Sequence, residues 1–175
     1  MSSKVIAEQL FSSTDKQFVS NELFSTGKRH VLDKFVYLID INENNTITEC
    51  FHKLTEKITL PLEAQKLDTL SESYSKRLFE LNKFHSKSSD GLYVLLYSML
   101  MLKQDLSNTY LPKKILVDDF IRFNRGINEG EDFPKEFLTQ IYNEMKLLYF
   151  IEPPPRRAYD DLIDEFTFDR KCCIL

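Results

Sequence analysis

Apolar residues recur every three or four positions along most of this 175-residue chain, and this periodicity constrains the fold more than any other feature of the sequence. In one stretch Ile47, Phe51, Leu54 and Ile58 follow one another at spacings of four, three and four, which places them on one face of a helix. The chain has only four glycines, so few tight turns with positive φ are available and a fold of β-hairpins is disfavoured. The sequence therefore predicts an all-α protein.

Polar residues and prolines predict where individual helices begin. Asn45 or Thr46 is the expected N-cap of the helix that contains residues 47–58. Proline is favourable at a first helical position, where its missing N–H costs nothing, so Pro61 and Pro134 are expected to begin two further helices.

The most apolar run, LYVLLYSMLML at 92–102, is expected to form a central buried helix capped by Asp90. It is shorter than the ~20 residues that a membrane-spanning helix needs. Two later helices are expected to bury one face each: Leu116, Val117, Phe120 and Ile121 in the first, and Phe137, Leu138, Ile141, Tyr142, Met145 and Leu148 in the second.

Composition indicates one domain followed by a tail. Hydrophobic residues make up 42% of the chain, enough for one core, and we assign residues 1–151 to it. Residues 152–175 begin with a proline-rich spacer and continue as an acidic tail. Cys50 is expected to be a small buried hydrophobe, and no signal peptide is visible.

Several classes of function are disfavoured. The net charge is -4 and basic residues are interleaved with acids, so a nucleic-acid partner is not expected. The three histidines are scattered without ligand spacing, so we expect no metal, and no cofactor-binding motif is present. The chain is expected to be a monomer.

Three stretches together resemble one known family. LPLEAQKLD, YVLLYSMLMLKQDLSN and FIRFNRGINEGEDFPKEFLTQIYNEMK are similar, in order and spacing, to the signatures of the Sec-seven domain, the catalytic module of exchange factors for ARF-family GTPases. The likeness covers roughly residues 30 to 150. It implies an elongated right-handed stack of about 7–9 helices, with the N-terminal part shortened.

Glu63, in the first of these stretches, has two interpretations. As the third residue of a helix that begins at Pro61, it would complement the positive end of the helix dipole and bond a free N–H. The resemblance implies instead that Glu63 is the glutamate that approaches the phosphate and Mg²⁺ of the GTPase-bound nucleotide and promotes GDP release.

The resemblance also implies a groove that receives the GTPase switch regions. Its residues would be Tyr93, Tyr97, Leu100, Met101 and Asn108. The first four share one helical face, but ordinary core packing explains the same spacing, and an asparagine in a loop explains the fifth.

The NRGIN motif is interpreted as architectural, ordering a loop behind the groove through Asn124, Arg125, Gly126 and Asn128. Two features depart from the family pattern. Leu62 stands where the family usually has glycine, and Lys103 and Ser107 alter the polar edge of the groove.

The chain ends in Cys172-Cys173-Ile174-Leu175, a C-a-a-X box whose terminal leucine predicts geranylgeranylation of Cys172. Together these features predict an exchange factor without covalent chemistry, held with a cytosolic pool at the cytoplasmic face of membranes. The alternative is a non-catalytic, GTPase-binding adaptor of the same family.

Overall fold

The periodic apolar pattern produces eight α-helices in the part of the chain that a computed structural model describes, residues 2–25, 27–82, 84–111 and 113–151. They are α1 (Ser3–Phe11), α2 (Lys16–Leu23), α3 (Arg29–Leu38), α4 (Ile47–Lys57), α5 (Ala64–Leu81), α6 (Ser89–Ser107), α7 (Val117–Phe123) and α8 (Lys135–Tyr149). The only β feature of those residues is an isolated bridge between Asn128 and Glu131. The all-α prediction is confirmed, and the number of helices lies in the expected range.

Local sequence signals, a capping box and a proline, mark where two of the helices begin. Thr46 caps α4: its side chain accepts a hydrogen bond from the Glu49 N–H at 3.1 Å, and the Glu49 carboxylate accepts one from the Thr46 N–H at 2.9 Å. One of the two expected N-caps is thus confirmed. Pro134 immediately precedes α8, one residue from the expected start.

Two predicted starts are wrong. The helix α5 begins at Ala64 instead of Pro61, because residues 61–63 contribute little burial that would stabilise an additional turn. The cap of α6 is Ser88, whose hydroxyl accepts a hydrogen bond from the Gly91 N–H at 3.3 Å. Asp90 lies inside the first turn of α6, where its charge complements the helix dipole.

The central helix is α6, which packs against α5, α7 and α8. The helix α5 also packs against α3, and α3 packs against α1. The helix α2 contacts both α3 and α4, and α4 contacts α8. The buried side chains of all eight helices form one continuous hydrophobic core. Among the described residues no helix is both long and apolar enough to cross a membrane.

Cys50 lies in this core without a disulfide partner, as expected. Burial raises the pKa of its thiol to about 11, which keeps the thiol protonated and unreactive at neutral pH. The hydroxyl of the buried Tyr74 donates a hydrogen bond to the Cys50 carbonyl at 2.8 Å, and so fastens α5 to α4.

Two buried asparagines of the NRGIN motif connect the loop after α7 to α6. Asn124 accepts a hydrogen bond from the Ser98 hydroxyl of α6 at 2.8 Å and donates one to the Phe120 carbonyl at 2.8 Å. Asn128 accepts one from the Lys87 N–H at 2.7 Å and donates one to the His85 carbonyl at 3.0 Å, so it holds the segment that leads into α6. These bonds support the architectural interpretation.

Replacement of Asn128 by alanine is expected to lower the free energy of unfolding by about 1–3 kcal/mol, because the Lys87 N–H and the His85 carbonyl lose a buried partner. Urea denaturation followed by circular dichroism measures the change. Arg125→Ala in the same loop is the control: Arg125 is exposed, and its removal should change stability by less than about 0.5 kcal/mol. Equal losses in the two variants would contradict the assigned role.

Candidate partner-binding site

Glu63 presents its carboxylate to solvent at the beginning of α5. It is the N-cap residue, and its main-chain carbonyl accepts the first helical bonds from Lys66 and Leu67 at 3.0 and 3.1 Å. Its side chain makes no capping bond and is 67% exposed, with an oxygen 2.6 Å from the Lys66 amine. The expected bond to a free N–H at the helix start is therefore not formed, and the carboxylate is not used in capping.

An open groove of ≈ 470 Å³ lies directly beside this helix start, between the first turns of α5 and the N-terminal half of α6. We call it the α5–α6 groove; it is lined by Ala64, Gln65, Asp68, Tyr93, Val94 and Tyr97. Its surface is mostly apolar. The structure thus brings Tyr93 and Tyr97, two of the five residues predicted for a groove, next to the residue that follows Glu63.

The other three predicted groove residues lie elsewhere. Leu100 is 2% exposed and belongs to the core. Met101 is 44% exposed on α6 but does not line the α5–α6 groove. Asn108 is the exposed C-cap of α6, and its side-chain oxygen accepts a hydrogen bond from the Tyr110 N–H at 3.0 Å. Their contacts with a partner stay predictions.

Three residues of the α5–α6 groove were not predicted from the sequence: Gln65, Asp68 and Val94. Val94 follows Tyr93 and is three residues before Tyr97, so helical spacing was a usable signal. Gln65 and Asp68 lie on the first turns of α5, and their contribution depends on how α5 crosses α6, which periodicity does not specify.

The polar edge of the groove is an interaction between Tyr93 and Asp68. The Tyr93 hydroxyl donates a short hydrogen bond to a carboxylate oxygen of Asp68. This bond, with smaller contributions from burial and from the negative charge of Asp68, raises the pKa of Tyr93 to about 12. The hydroxyl is therefore protonated at neutral pH, and the bond holds the ring against the wall of the groove.

Leu62 precedes Glu63 and is 90% exposed. Among the described residues other than glycine, positive φ angles occur only at Phe84, His85 and Glu129. The backbone at Leu62 therefore does not need the conformational freedom of the glycine that is usual here in the family. Its side chain instead adds an apolar surface beside the carboxylate.

Lys103, the second departure from the family pattern, is half-buried with its amine 4.8 Å from the centroid of the Tyr149 ring. Burial, and to a smaller extent the positive charge of Lys16, lowers the pKa of this amine.

The described part of the chain contains no cluster of three metal-ligating side chains. The site that this part of the chain offers is an open, mostly apolar groove whose first lining residue, Ala64, follows the exposed Glu63, and such a surface suits a protein partner.

Comparison with known proteins identifies the family to which this chain is similar. The model of the Sec7 domain matches residues 2–147. Brefeldin A-inhibited guanine nucleotide-exchange protein 1 of Arabidopsis thaliana is 36% identical over 137 residues, which are 75% of this chain but only 8% of that protein. The chain thus spans less than a tenth of the length of this relative.

Solved structures agree. A Sec7 domain bound to ARF1-GDP and complexed with brefeldin A has a TM-score of 0.79 at 27% identity, covering 86% of this chain and 78% of that one. The Sec7p catalytic domain has a TM-score of 0.77 at 27% identity, covering 83% and 79%. The chain belongs to the Sec7 (Sec-seven) domain family, as the resemblance in its sequence predicted.

Asp68→Asn is expected to lower the pKa of Tyr93 from about 12 towards the ordinary value of 10.0, because the anionic acceptor that favours the protonated hydroxyl is lost. Titration of ¹³C-labelled tyrosine by NMR measures the change, with Tyr93→Phe assigning the signal. Asp118→Asn, on the exposed side of α7, is the control and should leave that pKa unchanged. An unaltered pKa in Asp68→Asn would show that the bond does not form in solution.

Proposed function

We propose that this chain promotes GDP release from an ARF-family small GTPase, with Glu63 as the acting residue. One observation carries the proposal: an exposed carboxylate that takes no part in capping stands beside the mostly apolar α5–α6 groove. Membership of the Sec7 family supports the class of partner. The chain acts as a GTPase regulator without a covalent step, so it is not an enzyme in the strict sense.

The groove would bind the partner, and burial of its aromatic walls would supply the affinity. Tyr93 and Tyr97 are partly exposed on one face of α6 and offer a large apolar area that a protein partner can cover. Met101 and Asn108, exposed further along the same helix, would extend the contact, as the resemblance implies. Leu100 would support the helix from inside the core.

The carboxylate of Glu63 would act by repulsion. A phosphate about 4 Å away, at an effective dielectric constant of about 20, is repelled by about 4 kcal/mol. Since 1.4 kcal/mol is tenfold in an equilibrium constant, this corresponds to roughly a thousandfold weaker hold on the nucleotide. The same carboxylate competes for Mg²⁺, which prefers oxygen ligands.

The ion pair with Lys66 does not prevent this role. Both side chains are at least one-third exposed, and an exposed ion pair of this kind stabilises by less than about 1 kcal/mol. That is smaller than the repulsion available at the phosphate, so a bound partner can separate the pair.

A non-catalytic, GTPase-binding adaptor is the alternative. It is favoured by Leu62, whose exposed side chain stands where the family usually has glycine and would meet the partner next to Glu63. An apolar contact at that position adds affinity but can hold the carboxylate away from the nucleotide.

Replacement of Glu63 by lysine is expected to abolish acceleration of GDP release, because repulsion of the phosphate becomes attraction. Release of a fluorescent GDP from a panel of ARF-family GTPases measures the effect. Glu136→Lys, which makes the same charge change in the exposed first turn of α8, is the matched control and should keep activity within about twofold of the unmodified chain. If the unmodified chain binds a GTPase without acceleration, the adaptor is the correct function.

We also propose that a geranylgeranyl group at Cys172 holds the chain at the cytoplasmic face of membranes. The residues Cys172 to Leu175 form a C-a-a-X box in any form of the protein that ends at Leu175. They lie outside the described residues, as does the rest of the predicted tail 152–175. A single lipid gives only reversible binding, which is consistent with a cytosolic pool.

In cells that produce the 175-residue chain, Cys172→Ser is expected to move most of the protein from the membrane fraction to the cytosol. Leu175→Ser is the matched control, because it keeps the box and changes the expected lipid from geranylgeranyl to farnesyl, which intact mass spectrometry distinguishes. Membrane association that persists undiminished in Cys172→Ser would refute the lipid anchor.

A further inference from the structure

The C-terminal end of α8 carries an apolar surface that the described residues do not cover. It consists of Leu147, Leu148, Phe150 and Ile151, all exposed, and we call it the C-terminal patch. Leu147 is 87% exposed. Leu148 was expected from the sequence to lie on the buried side of this helix; that prediction is wrong, because 46% of Leu148 is exposed.

The C-terminal patch is held in a fixed position. The Ile151 N–H donates a hydrogen bond to the Leu106 carbonyl at 3.2 Å. The hydroxyl of Tyr149, between the patch residues, lies 2.9 Å from Nδ1 of His52 and 3.0 Å from the hydroxyl of Thr55. Four apolar side chains are thus displayed on a backbone that is anchored to both α4 and α6, which is a suitable surface for docking.

Lysines border the patch. The Lys146 amine lies 5.8 Å from the centroid of the Phe150 ring, and the Lys103 amine 4.8 Å from that of Tyr149. Lys16 is close enough to Lys103 to lower its pKa. In the described part of the chain no carboxylate forms an ion pair with these three amines, although Glu56 lies nearby, 3.7 Å from His52. Positive charge therefore lies at Phe150 and beyond Tyr149, while the Glu144 carboxylate, one helical turn before Leu147 and Leu148, adds one negative charge near the patch.

We propose that residues 158–169 of the same chain dock on the C-terminal patch as an amphipathic segment. Four of their apolar residues, Tyr159, Leu162, Ile163 and Phe166, recur at helical spacing, whereas Phe168 falls outside this face. The positions between the four are occupied by Asp160, Asp161, Asp164 and Glu165. One face of such a segment matches the apolar patch, and its acidic flanks match the lysines.

The length of the connection permits this contact. The described chain ends at Ile151, on the patch itself, and residues 152–157 separate it from the segment. Six residues span up to about 20 Å, and a twelve-residue helix is about 18 Å long, so the segment can turn back over the last turn of α8. Because both partners belong to one chain, docking is intramolecular, and a weak interaction suffices.

Hydrogen–deuterium exchange of the full 175-residue chain tests the proposal. Ile163→Asp places a charge on the apolar face of the segment and should raise exchange in residues 103–107 and 147–151 by about fivefold or more, the effect of losing ~1 kcal/mol of docking. Phe168→Asp makes the same change from an apolar to a charged side chain on the opposite side of such a helix and is the matched control. Equal exchange in Ile163→Asp and the unmodified chain overturns the proposal.

A disulfide assay identifies the occupant independently. In a chain with Cys172 and Cys173 replaced by serine, Leu147→Cys combined with Phe166→Cys should form a disulfide within one monomer, whereas Gln140→Cys with Phe166→Cys should not. Linked dimers would mean that a second copy covers the patch. Protection of residues 147–151 only on adding phosphatidylserine vesicles would mean that a membrane does. Either result overturns the proposal.

Discussion

The structure depends on covering α6, a helix that is apolar on nearly all of its circumference. Eight of its residues are buried, and each buried leucine contributes about 1.5–3 kcal/mol relative to exposure. Because one neighbouring helix cannot cover all sides of α6, the three helices α5, α7 and α8 pack against it. They leave one strip of the N-terminal half open, and Tyr93, Val94 and Tyr97 on that strip form the wall of the α5–α6 groove. The candidate site is thus the uncovered remainder of the core helix.

The position of α6 is then fixed by hydrogen bonds from buried polar side chains, which apolar packing alone does not provide. Asn124 bonds Ser98, which follows Tyr97 in α6, and Asn128 bonds the segment before α6. Buried side-chain bonds of this kind have defined direction, whereas apolar packing tolerates sliding. The first turn of α5, with Glu63 at its start, is set against this anchored helix by the contact between Asp68 and Tyr93. The helix start that carries Glu63 and the apolar wall of the groove therefore belong to one connected unit.

Prediction from the sequence succeeded where a local rule decides the outcome. The N-cap at Thr46, the burial of Cys50 and the helix after Pro134 follow from capping, from size and from periodicity. Prediction failed where the burial of a residue or the start of a helix depends on the elements that pack against it. The expected inward face near α7 included Leu116, which is exposed while Phe120 is buried, because Leu116 is the N-cap residue and lies before the helix begins. The start of α5 was placed three residues early for the related reason that Pro61 permits a helix without requiring one.

The sequence by itself determined the helical class, the family, and the location of Glu63 at a helix start, since periodicity, motif spacing and capping chemistry are all local. Only the tertiary structure decided which side of each helix faces solvent. Periodicity places Tyr97, Leu100 and Met101 close together on α6, yet Leu100 is enclosed and Met101 is exposed. That difference depends on the angles and positions of α5, α7 and α8, which result from packing over the whole core and are not encoded in the spacing of any one segment.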